Sequence, residues 1–140
     1  MRLFLDSSAL TKRYVEEAGS DVVLAQCRAA SEIVLSLLAV PEVLSALNRL
    51  RRAQALRPAM YRRLKAALLA DADQASVIDV TPAVVATAVR CLERTAVRTL
   101  DALQIASAVE GGAEVFLSAD RRQLLAARVM GLTVTSLPPG

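Results

Sequence analysis

The sequence predicts a parallel α/β fold with helices on both faces of the sheet, and three observations support that expectation. Short apolar runs recur along the chain, helical patterns fill most intervals between them, and the residues available for a core are aliphatic rather than aromatic. The runs are Arg2–Leu5, Ile33–Ser36, Val77–Val80, Val115–Ser118 and Thr133–Ser136. They are short and apolar throughout instead of alternating with polar residues, as strands are when both faces of their sheet are covered.

The intervals read as helices with recognisable ends. Ser7 or Ser8 can cap a helix running to about Glu17, Gly19 ends it, and Ser20 or Asp21 can cap the next, to about Ala30. Pro41 suits the first turn of a helix whose stripe is Val43, Leu47 and Leu50. Arg57-Pro58 breaks that helix and opens another through Ala70. Thr81-Pro82 is a cap and first-turn pair for a helix to about Glu93. Thr99 can cap a helix ending before Gly111-Gly112, and Asp120 opens a last one ending by Gly131. The tail from Leu137 to Gly140 reads as a frayed end, and neither a repeat nor a linker interrupts the chain.

A chain of 140 residues that is 54% hydrophobic fits a single domain over residues 1–140. A domain of that size buries roughly 70% of its unfolded surface, so it needs neither disulfides nor a structural metal to stand. Cys27 and Cys91 are far apart and there is no histidine, which excludes a zinc knuckle and leaves the cysteines as small hydrophobes. Asp6 interrupts the opening apolar run, and no apolar stretch approaches the ~18 residues a membrane span requires. The expected location is the cytoplasm, with no membrane partner.

Four acids stand out in apolar surroundings: Asp6, Glu42, Asp101 and Asp120. For each alone, a helix cap or a partner for the helix dipole is a sufficient explanation. Together they share a position, at a strand end or in the following helix's first turn, and open parallel sheets bind ligands at that edge. Four carboxylates in contact would repel by roughly 4 kcal/mol per close pair at an effective dielectric of 20. Oxygen ligands without histidine suit Mg²⁺ or Mn²⁺, which would relieve the repulsion and bind less well as pH falls through the carboxylate range.

The chemistry that fits such an ion is phosphodiester hydrolysis, with one carboxylate free to orient or deprotonate the attacking water. Ser7 and Ser118 are placed to add hydroxyl contacts, although either can be a simple cap. The net charge is only +3, yet no acid falls between Glu42 and Asp71, where Arg49, Arg51, Arg52, Arg57, Arg62, Arg63 and Lys65 cluster. Those bases read either as the solvated faces of two helices or as a surface for a phosphate backbone, with Arg51, Arg52 and Arg62 as the contacts.

Four segments in this order and spacing resemble the motifs of PIN-domain ribonucleases, specifically the VapC-type toxins of bacterial toxin–antitoxin pairs. They are FLDSSALTKRYVEEAGSD from Phe4, SLLAVPEVLSALNR from Ser36, RTLDALQIASAV from Arg98 and VFLSAD from Val115. The resemblance spans essentially the whole chain. It implies an α/β/α sandwich with a central parallel sheet, a Mg²⁺- or Mn²⁺-dependent endoribonuclease, a homodimer, and inhibition by an antitoxin whose tail occupies the active groove. The implied catalytic and metal-holding set is Asp6, Glu42, Asp101 and Asp120, with Arg98 placed to touch phosphate or neutralise the acids. The chain departs from many relatives after Asp-Ala-Leu, where Gln104 replaces histidine.

Two other classes compete. A phosphoacceptor receiver domain also clusters acids around Mg²⁺, but it needs a lysine from a late strand, and the chain's only lysines, Lys12 and Lys65, are not on one. A catalytically silent binding protein would keep the fold and the Arg-rich helices to hold RNA or a partner. The intact set of acids argues against it.

Overall fold

A computed structural model describes residues 1–140. The strands are β1 (Arg2–Leu5), β2 (Glu32–Ser36), β3 (Ser76–Ile78), β4 (Val115–Ser118) and β5 (Thr133–Ser136). The helices are α1 (Ser7–Thr11), α2 (Ser20–Ala29), α3 (Ala39–Arg52), α4 (Pro58–Gln74), α5 (Pro82–Arg94), α6 (Thr99–Glu110) and α7 (Arg121–Val129). All strand pairs are parallel, in the order β3-β2-β1-β4-β5. This is the α/β/α sandwich that the sequence predicts.

Successive side chains of a strand point to opposite faces, and the core divides accordingly. Leu3, Leu5, Leu35 and Leu117 face one side, where they meet Ala9 and Leu10 of α1, Val23 of α2, Val43 and Leu47 of α3 and Leu68 of α4. Phe4, Val34 and Phe116 face the other, against Val84 and Ala88 of α5, Ile105 and Ala106 of α6 and Ala127 of α7. Right-handed crossovers explain the split. The chain adds β2 and β3 on one side of β1, then β4 and β5 on the other, and reversing direction with the same hand requires helices on the opposite face. Between β1 and β4 the sheet therefore has a switch point, with a crevice at its carboxyl edge.

Phe4 and Phe116 are directly paired across β1 and β4, and their rings stack with centroids 5.2 Å apart. Both are fully buried. Phe116→Ala is expected to cost about 3–5 kcal/mol through lost transfer energy and the cavity left behind. Urea unfolding measures this directly, and a loss under about 1 kcal/mol would mean that the stack is not a core contact.

Several helix ends differ from expectation. Asp6, not a serine, caps α1, accepting from the Ala9 N–H. The helix stops at Thr11 instead of continuing to Glu17, because Lys12, Arg13 and Tyr14 close tighter bonds to the carbonyls three residues back. Buried Lys12 then folds over the following turn, with Nζ donating to the Ala18 carbonyl at 2.7 Å and to Glu17 Oε1 at 3.1 Å. Gly19, at φ +93°, precedes α2, where a side chain would be strained and crowded by Pro138. Arg98 rather than Thr99 precedes α6 and makes no side-chain cap, and α4 runs to Gln74. Thr81 caps α5 as expected, accepting from the Val84 N–H. Cys27 and Cys91 are free thiols. No helix is long and apolar enough to cross a membrane.

Candidate active site

The topology sets the four acids at one edge. Asp6 directly follows β1, and Asp120 follows β4 by way of Ala119. Glu42 lies in the first turn of α3, the helix after β2. Asp101 reaches the edge by a different route from the expected one: its helix follows α5, not a strand. Because α6 leads into the start of β4, it runs against the strand direction, and its first turn lies at the carboxyl edge.

Asp6 is the most constrained of the four, with only 1% of its surface exposed. Its Oδ1 accepts from Ser8 Oγ at 2.7 Å and from the Ala9 N–H at 2.9 Å, while Oδ2 accepts from Ser118 Oγ. Each serine is oriented by a second bond, since Ser8 Oγ accepts from the Ala119 N–H at 3.0 Å and Ser118 Oγ from the Asp120 N–H at 2.9 Å. Two hydroxyl straps thus tie the end of β1 to the turn that carries Asp120. A carboxylate has about four lone-pair sites. Three are taken here, which leaves one on Oδ2 for a cation.

Burial pushes the Asp6 carboxyl up to about 6, against the opposing pull of its hydrogen bonds to Ser118, Ala9 and Ser8, with a smaller contribution from the charge of Asp120. Asp101 is also raised, first by desolvation and then by Asp120, with a smaller push from Glu42, while the backbone bond at Arg98 and its guanidinium pull the other way. Asp120 caps α7, its Oδ1 accepting from the N–H groups of Arg122 and Gln123 at 3.0 and 3.3 Å. Gln123 Nε2 reaches the Asp101 carbonyl at 3.3 Å and joins α7 to the first turn of α6.

Asp120 is thus electrostatically coupled to Asp6 and Asp101, and Asp101 to Glu42, but no three acidic side chains lie close enough to share one coordination sphere. Like charges surround the crevice instead of collapsing into it. The donors are all oxygens, the preference of Mg²⁺ and Mn²⁺. The free lone pair on Asp6 Oδ2 fits a hydrated ion of that kind, held directly by one or two carboxylates and through its waters by the others.

The bases are less concentrated on the site than the acids. Arg98 is exposed beside Asp101 and lowers its proton affinity. Arg51, Arg52 and Arg62 are exposed on α3 and α4, away from the crevice lining, and Arg51 donates to Asn48 Oδ1 at 2.8 Å while lying over the Tyr61 ring. Arg49 instead lines a polar cleft of about 300 Å³ together with Ser7, Ser8, Thr11 and Glu42. The spacing from Glu42 through Ala46 to Arg49 is one helix face, a signal that the sequence carries. Ser8 was expected only as a cap, and the Gln104 bond to Glu42 spans 62 residues, beyond any local pattern.

A parallel α/β domain with carboxylates around its switch point defines a class of hard-cation sites. The family model of the PIN domain matches residues 3–129, and the chain belongs to that family. Solved structures share the fold at low identity. FitAcB from Neisseria gonorrhoeae is 15% identical with a TM-score of 0.69, covering 94% of this chain and 95% of its own. VapC20 of Mycobacterium tuberculosis, a Sarcin-Ricin loop cleaving toxin, is 17% identical with a TM-score of 0.70, covering 94% and 96%. VapBC2 from Rickettsia felis, bound to a promoter DNA fragment, gives 11%, 0.71, 97% and 98%. No curated protein sequence matches significantly.

Proposed function

We propose that this chain is a VapC-type toxin, an endoribonuclease that uses Mg²⁺ or Mn²⁺ to hydrolyse RNA and is restrained by a cognate antitoxin. The observation that carries the reading is the placement of Asp6, Glu42, Asp101 and Asp120 around the switch point of a PIN domain. One or two of these carboxylates would hold the ion directly and the others through its bound waters. When bound, it would neutralise charge on the scissile phosphate and favour ionisation of the attacking water.

The chain's own groups supply the rest. Asp6 is held rigid by Ser8, Ser118 and the Ala9 N–H, so its free lone pair has a fixed direction. Asp101, whose affinity for a proton is raised, is the carboxylate suited to orient the water and accept its proton. Arg49 and Arg98 flank the crevice, and the exposed Arg51, Arg52 and Arg62 extend the cationic surface over which an RNA backbone would lie. A toxin–antitoxin complex from Klebsiella pneumoniae and VapBC2 from Rickettsia felis share the fold, which supports an antitoxin partner, and the cytoplasm is the place of action that this reading implies. The exposed Met60 and Leu69 of α4 leave apolar surface for a protein contact, with the antitoxin or in a homodimer.

The test is cleavage of a structured RNA by the purified chain. Activity is expected with Mg²⁺ or Mn²⁺, is expected to disappear with chelator and to return on adding excess metal. Equal cleavage with and without chelator would overturn the reading.

A further inference from the structure

We propose that Gln104 is a positioning residue, whose buried amide holds the Glu42 carboxylate and the Ser7 hydroxyl in the arrangement that receives the cation. The inference rests on the metal-dependent reading above. Gln104 follows Asp101 by three positions on α6, so both project from one side of the helix. Its side chain is 2% exposed and crosses to two other elements: Nε2 donates to Glu42 Oε1 at 2.7 Å on α3 and to Ser7 Oγ at 3.0 Å on α1. One amide nitrogen thus connects the second turn of α6 to the first turns of α1 and α3, using both of its hydrogens.

The other end of the amide identifies what the residue is for. Gln104 Oε1 is buried and has no hydrogen-bond partner. Turning the amide over would set that oxygen against the Glu42 carboxylate, so the contact with Glu42 dictates the orientation. A buried acceptor left unpaired lowers stability and offsets part of what the bonds to Glu42 and Ser7 contribute. Packing alone does not call for a glutamine here, whereas the bond to Glu42 does.

Mn²⁺ binding and melting temperature, measured separately, test this. Calorimetric Mn²⁺ titrations compare the wild type, Gln104→Met, Glu42→Gln and the double variant at one pH, and each is melted without metal. Gln104→Met is expected to bind Mn²⁺ about tenfold more weakly or worse, with a metal-free melting temperature close to that of the wild type, since half-buried Glu42 can bond water in place of the amide and the unpaired Oε1 is removed. Because the residue acts through Glu42, the double variant is expected to bind no more weakly than Glu42→Gln. Gln104→Leu serves the same comparison should Met strain the core. Wild-type affinity in the folded Met or Leu variant would overturn the proposal, as would losses that multiply in the double variant. If the wild type itself bound no Mn²⁺, the metal-dependent reading would fall with it, a result distinct from a wild type that binds and a Gln104→Met that matches it.

Discussion

Asp101→Asn is expected to reduce metal-dependent RNA cleavage by about 10³-fold or more while leaving the chain folded. A metal ion supplies several kcal/mol of transition-state stabilisation, and each 1.36 kcal/mol corresponds to a factor of ten in rate. Asparagine keeps the shape of the side chain but loses one of the negative charges that attract the ion and the basicity needed to take a proton from water. Folding should survive, because desolvation and the charges of Asp120 and Glu42 already oppose ionisation of Asp101 in the native state. Gel-based cleavage assays with Mn²⁺, alongside circular dichroism, provide both readouts. Undiminished cleavage by Asp101→Asn and Asp6→Asn would remove the acids from the mechanism.

Asp6→Asn is expected to do something less common for a buried substitution, which is to stabilise the metal-free chain above pH 6. The folded carboxyl titrates at about 6 where the ordinary value is 3.8. Below about pH 4 both folded and unfolded states hold the proton and Asp6 contributes no pH dependence. Between about pH 4 and 6 the unfolded chain ionises first, so stability falls as pH rises. Above about 6 the full penalty persists, on the order of 3 kcal/mol by linkage. Asparagine should recover much of it and flatten the decline, since Ser8 and the Ala9 N–H can still donate to its carbonyl and Ser118 can accept from its amide. Mn²⁺ should reverse the trend in the wild type by favouring the ionised carboxylate. Urea midpoints from pH 4 to 8 check the sign, and a wild type that gains stability over that window without metal, with no difference from Asp6→Asn, would contradict it.

The strands were legible for a simple reason. Sheet residues covered on both faces must be apolar along a continuous run, and the runs from Leu3 to Leu5 and from Val115 to Leu117 met that demand without help from context. Thr81-Pro82 and Asp120 marked their helices because caps act within three residues. The end of α1 was not legible in the same way. Its length depends on where the Lys12 ammonium finds its acceptors, the Ala18 carbonyl and Glu17, after the chain has turned back.

The sequence by itself determined that this is a parallel α/β chain with four isolated acids at element ends, because patterning and capping are local properties. Only the tertiary structure decided that β1 and β4 lie side by side, that Ser8 and Ser118 clamp Asp6, and that Gln104 meets Glu42. Those contacts join residues as many as 112 positions apart. Hydrogen bonds of that kind carry no periodic trace in sequence, since their partners become neighbours only when the crossovers reverse at the middle of the sheet.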